Sequence, residues 1–149
     1  MEKEAVREFF EDTRKAGLRT RKLRERMEEV RVAAHGVRGA RIRERVQESG
    51  CYDVGDELIR IERATMDYLE ASTLSLAMEY RALRLLRMET NDQRAAIMIA
   101  RFLNQESWKQ VGEEFGRSST LLFKAVRDTC ARIAESEAAE RIMEEQLAD

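Results

Sequence analysis

Proline is absent from this chain, and glycine occurs only 7 times in 149 residues. With so few turn formers, a sandwich or barrel of many short strands is close to excluded. Long apolar runs are also missing. The longest, Ala95 to Ala100, is six residues, against the about 20 that a membrane-spanning helix needs, so no membrane partner is expected. Cysteine is scarce: Cys51 and Cys130 form no CxxC pair and have no metal-ligand spacing. The N-terminus, Met1-Glu2-Lys3-Glu4, lacks the basic-then-apolar pattern of a signal peptide. A reduced, cytoplasmic setting is expected. There is one histidine, His35 in Ala33-Ala34-His35-Gly36, with no cysteine or second histidine near it. It reads as a helical surface histidine rather than a catalytic base. Neither a Walker-type loop nor GxGxxG occurs. No enzymatic activity, cofactor or metal is expected.

What is present is charge, 38% of the residues, alongside 43% hydrophobic residues. That mixture suits a helical or coiled-coil protein better than a disordered chain. The net charge of -2 hides local imbalances. From Arg14 to Arg45 there are 12 basic and 4 acidic side chains. Such a stretch either attracts nucleic acid or pairs with the acidic segment 51–90. The segment Glu135–Asp149 holds 6 acidic residues and 1 basic. It reads as the completion of a helix or as a competitor for basic sites.

Hydrophobic periodicity is helical almost throughout. Leu23, Met27, Val30, Ala34 and Val37 recur at spacings of 4, 3, 4 and 3, the seam of a paired helix. It dissolves near Gly36 and Gly39 and resumes weakly with Ile42 and Val46. Ser49-Gly50-Cys51-Tyr52-Asp53-Val54-Gly55-Asp56 has turn composition. A second seam follows: Leu58, Ile61, Thr65, Leu69, Ser72, Leu76, Tyr80, Leu83, Leu86. Two antiparallel helices over about residues 18–88, joined near Gly50–Gly55, are the simplest arrangement. Thr65 and Ser72 on the seam, with Ala64 and Ala71 nearby, indicate close packing at one level.

The pattern shortens at Thr90. Thr90-Asn91-Asp92-Gln93 reads as a capping box that starts a helix carrying Ala96, Ile97, Ile99, Ala100 and Leu103 and ending at Asn104. Ser107-Trp108-Lys109-Gln110 is a second box, opening a helix through Glu113 and Phe115. Gly116 fits a helix end that needs positive φ. Ser118 is a suitable N-cap for a third helix with Leu122, Val126 and Ile133 on one face. Three helices over 91–134, the last two joined by a tight turn, have helix-turn-helix geometry. The expected fold is therefore all-α: a long N-terminal, coiled-coil-like helical hairpin (1–89), then a C-terminal helix-turn-helix domain (90–149).

Residues Arg94 to Ile133, with Trp108-Lys109-Gln110-Val111-Gly112-Glu113-Glu114-Phe115-Gly116-Arg117-Ser118, resemble region 4 of sigma-70-type factors. Within that group the chain is most similar to short phage transcriptional regulators of the ArpU and RinA type. The resemblance implies an aliphatic position at Val111, a small one at Gly112, an apolar one at Phe115, glycine before the turn and serine capping the recognition helix. It implies duplex DNA as partner, control of phage or prophage genes, and RNA polymerase as a further partner. A homodimer is expected because one module with few base contacts rarely binds tightly.

The same residues have a direct physical reading. Val111, Phe115, Leu122 and Val126 can form a miniature core closed by Ile97 and Ile99, and Gly112 lets two helices approach. Trp108 reads as a wedge between helices. The third helix would present Ser119, Thr120, Phe123, Lys124 and Arg127 outward, after the cap at Ser118. Lys124 and Arg127 suit phosphates or a guanine edge, Ser119 and Thr120 suit backbone or base, and Arg117 in the turn suits a phosphate. In Leu121-Leu122-Phe123 one residue is expected to be exposed, toward a thymine methyl, the second long helix or a protein. The alternatives to a DNA-binding regulator are a small-terminase-type packaging protein and a helical adaptor without nucleic-acid binding.

Overall fold

A computed structural model describes the backbone of residues 1–48 and 54–145, and the side chains of residues 1–34 and 55–145. Among them are two long helices, α1 (Lys3–Glu48) and α2 (Val54–Leu86), and four short ones, α3 (Asp92–Met98), α4 (Trp108–Phe115), α5 (Ser119–Ala134) and α6 (Glu137–Glu144). No strand occurs among the described residues, and the all-α expectation holds. None of these helices is long and apolar enough to cross a membrane. Five of the eight residues of the expected turn at Ser49–Asp56 lie outside the described residues. Its last three residues, Val54, Gly55 and Asp56, already belong to α2. The side chains of His35, Val37, Ile42, Val46 and Cys51 lie outside the described residues, as do the last residues of the acidic tail.

The chain packs as two units, residues 1–18 with 74–149, and residues 19–73. The 1–89/90–149 division expected from sequence pattern is not the packing division. In the unit 19–73, α1 and α2 segments pair antiparallel. Thr20 Oγ1 donates to the Ala71 carbonyl at 3.1 Å and Arg31 to Thr65 Oγ1 at 3.5 Å. Leu23, Met27, Val30 and Ala34 are half-buried at their expected spacing, while Arg24, Glu25, Glu28 and Glu29 are exposed. Arg24 pairs with Glu28 one turn along its own helix, at 3.3 Å, a contact worth little in water. The Arg14–Arg45 stretch thus uses some of its charge locally.

The α2 seam differs from the expected one. Leu58, Leu69, Leu76, Tyr80 and Leu83 are exposed, Leu76 by 62%. Of that seam Leu86 is buried and Ile61, Thr65 and Ser72 are half-buried, while Ala64, Ser75, Ala82 and Leu85 form the main buried line. The spacing is the same but the stripe is rotated. The small side chains Ala64, Ser75 and Ala82 on the buried line let a neighbouring backbone approach closely, and the bulky Leu58, Leu69, Leu76, Tyr80 and Leu83 turn outward. Periodicity alone cannot choose between two apolar stripes on one helix.

In the other unit, α1 starts fifteen residues earlier than expected, at Lys3 rather than about 18. Val6, Phe10, Thr13 and Gly17, spaced 4, 3 and 4, are all buried. Val6 and Phe10 join Ala82, Leu85 and Leu86 of α2, Met98, Phe102, and Val126, Cys130 and Ile133 of α5 in one core. Phe10 and Phe102 lie 5.7 Å apart between ring centroids. The helix expected to run through Asn104 stops being α-helical at Met98 and continues as a π-helical turn, Ile99–Leu103, closed by Asn104 N–H to the Ile99 carbonyl at 2.9 Å. The acidic end is not a continuation of α5. Ser136 interrupts it and caps α6, which buries Ala139 and Ile142 in the same core.

Candidate nucleic-acid interface

The start of α3 is capped one residue later than expected. Asn91, not Thr90, is the N-cap, and its side-chain oxygen accepts from Arg94 N–H at 3.1 Å. The Asn91 N–H itself donates to Oε1 of buried Glu89 at 2.9 Å. Gln93 is thereby released from any box and accepts a hydrogen bond from Arg117. The second capping box forms as read. Gln110 N–H donates to Ser107 Oγ at 3.2 Å and Ser107 N–H to the Gln110 side chain at 2.9 Å. Gly116 takes the left-handed conformation, φ 62° and ψ 37°, and its N–H returns to the Gly112 carbonyl. This position favours glycine because a Cβ crowds the following carbonyl there. Ser118 then caps α5.

The two helices around this turn are held by a small apolar cluster: Ile97, Ala100, Val111, Leu122 and Ala125, with Trp108 and Phe115 packed at its edge. Val126 and Ile99, expected in this cluster, face the larger core instead. The π-helical turn at Ile99–Leu103 accompanies this split, with Ala100 in one core and Phe102 in the other. Gly112 is needed small. A Cβ built on it would sit 3.1 Å from the Arg117 carbonyl and 3.7 Å from Leu122 Cδ1. Trp108 is wedged as expected. Phe102 lies edge-on to it at 6.4 Å and Phe123 edge-on at 4.9 Å, while the Arg101 guanidinium stands 4.3 Å from the ring centroid.

Packing one face of α5 decides what the other face shows. Ser118, Ser119, Thr120, Lys124 and Arg127 are exposed. Thr120, Lys124 and Arg127 follow one another at i, i+4 and i+7, hence on one strip of the helix. Phe123 is partly exposed, at 42%, but its ring lies against Trp108 rather than standing free. Arg117 is half-buried, with its guanidinium held by Gln93. Among the described residues no carboxylate pairs with Arg117, Lys124 or Arg127 within 4 Å. Of the Leu121-Leu122-Phe123 run only Leu122 is buried; two residues are exposed where one was expected.

A shallow cleft of about 200 Å³ opens beside α5, between it and the start of α3. Arg94, Arg117 and Lys124 line it with Asn91, Leu121, Ala125 and Asp128. Sequence reading reached Arg117 and Lys124 but not Arg94. Nothing in the pattern of residues 90–104 marks that residue as a neighbour of α5. Cys130 is the opposite case, a nucleophile withdrawn from chemistry. It is buried, and desolvation, outweighing nearby Arg7, pushes its thiol up to about 12. No group of three or more metal-ligating side chains occurs among the described residues. Comparison of the chain with protein-family models, with curated proteins and with solved structures returned no match.

Proposed function

We propose that this chain is a duplex-DNA-binding transcriptional regulator of the phage or prophage type, acting in the cytoplasm as a homodimer and reading DNA with α5. One observation carries the reading. α5 follows a left-handed glycine turn, is seated by Leu122 and Ala125, and leaves Ser119, Thr120, Lys124 and Arg127 exposed without carboxylate partners among the described residues. A helix so mounted fits the major groove, with its first residues nearest the base edges. Ser119 and Thr120 are short and polar, suited to a base edge or a backbone oxygen. Arg117, Lys124 and Arg127 supply the phosphate contacts.

Binding of labelled mixed-sequence duplex across salt tests this. Three cation–phosphate contacts per copy give each copy a log–log slope of about -2.7, an affinity loss per copy of about 40-fold between roughly 50 and 200 mM salt. Absence of duplex binding at 50 mM salt overturns the reading. A second reading rests on Leu121 and Phe123, half-exposed on the same helix. They would serve an adaptor that docks a protein, RNA polymerase being the partner that the resemblance to sigma region 4 implies. Full duplex binding by a variant with Arg117, Lys124 and Arg127 all changed to alanine would move the DNA surface elsewhere, first to the Arg14–Arg45 stretch.

A further inference from the structure

We propose that the cleft between α3 and α5 is a phosphate-binding site, occupied by one phosphodiester of the DNA backbone, with Arg94 as its anchoring residue. This rests on the DNA-binding reading and adds to it a site on a different helix. Three cationic side chains from three separate stretches of chain, Arg94, Arg117 and Lys124, meet around one concavity. Its roughly 200 Å³ exceeds several times the about 30 Å³ that a water molecule occupies in the liquid. A phosphate tetrahedron with part of its hydration shell therefore fits.

Two of the three cations are positioned by neighbouring groups, one neutral and one a carboxylate. Gln93 holds the Arg117 guanidinium with a neutral amide oxygen, which orients the fork without cancelling its charge. Arg94 has Oε2 of the buried Glu89 at 3.9 Å from one terminal nitrogen. That ion pair offsets part of the Arg94 charge and leaves the other N–H donors of its five to a ligand. Lys124 belongs both to the cleft and to the exposed strip of α5. A backbone lying along that strip therefore passes the cleft mouth. Asp128 is the one carboxylate in the lining. It opposes a phosphate and limits affinity, which makes it a second, independent handle on the site.

The experiment measures labelled mixed-sequence duplex binding across about 50–200 mM salt for the full chain, Arg94→Gln and Asp128→Asn, and thermal stability with inorganic phosphate against chloride at equal ionic strength. Losing one cation–phosphate contact lowers the salt slope by about 0.9 per copy, so Arg94→Gln should lose about 3.5-fold less affinity per copy over that range than the parent. Asp128→Asn, an exposed position where folding is not at stake, should bind about two- to fivefold more tightly at low salt, the scale of one exposed charge–charge interaction. Circular dichroism confirms that Arg94→Gln keeps its helices. If the parent binds duplex and neither variant moves slope or affinity, the cleft is not a backbone site and the proposal falls, while the DNA-binding reading stands. If duplex binding is absent but phosphate stabilises the parent and not Arg94→Gln, the DNA-binding reading falls and the cleft is a site for free phosphate. If neither probe binds, both are overturned.

Discussion

Leu121 and Leu122 are adjacent, chemically identical and expected to respond very differently to truncation. Leu122 is 1% exposed, packed with Ile97, Val111 and Ala125, and its Cδ1 lies 3.7 Å from where a Gly112 Cβ would be. Leu122→Ala removes three buried carbons, about 2.4 kcal/mol at about 0.8 kcal/mol each. The cavity left in so small a cluster adds to this, giving about 3 kcal/mol within the range of about 2–5 found for such changes. Leu121 is 50% exposed and helical. Its truncation loses less contact and gains helix propensity, for a net change below about 1 kcal/mol. Urea denaturation followed by Trp108 fluorescence measures both. Trp108 is the chain's one tryptophan and packs at the edge of this cluster, so it reports the unit concerned. Equal losses from the two variants, or a Leu122→Ala loss under about 1 kcal/mol, would refute the packing assigned to α5 and with it the exposed face proposed for DNA.

Gly116→Ala should destabilise the unit by about 1–2 kcal/mol through left-handed strain alone, since no atom lies within 4 Å of the added carbon; the same denaturation measures it. Thr120→Ala or Ser119→Ala should change which duplexes are selected from a random pool. Arg127→Ala should instead weaken all duplexes alike and flatten the salt slope by about one; an unchanged selected site in both serine and threonine variants speaks against base reading by this helix end. Glu106 is half-buried, and that burial, with Glu114 beside it, holds its carboxyl above the usual range. A raised carboxyl binds its proton more tightly in the folded state, so the protein gains stability as pH falls through that raised value toward the unfolded one near 4.5. Glu106→Gln should therefore be the more stable form at pH 7, with the difference closing toward pH 4.5. A constant difference across that range contradicts the assignment.

Local chemistry written in neighbouring residues could be read from the sequence without the fold. The Ser107/Gln110 box, the glycine turn at Gly116 and the cap at Ser118 each close within about four residues, and all three form as read. The same holds for the helical character of α1 and α2, which follows from period and the lack of proline. Competition between equivalent local solutions was not legible. Thr90 and Asn91 are both good caps, and the choice of Asn91 goes with buried Glu89, which receives its N–H. Likewise α2 carries two stripes at the same spacing, and what packs against the helix, not its own pattern, decides that Ala82 is buried and Tyr80 exposed. The start of α1 reaches α5 through Val6 and Phe10, more than a hundred residues away in sequence. Arg94 meets Arg117 and Lys124 for the same reason. Contacts between distant segments depend on where whole helices come to rest. That is set by the summed burial of many apolar side chains, and no single motif encodes it.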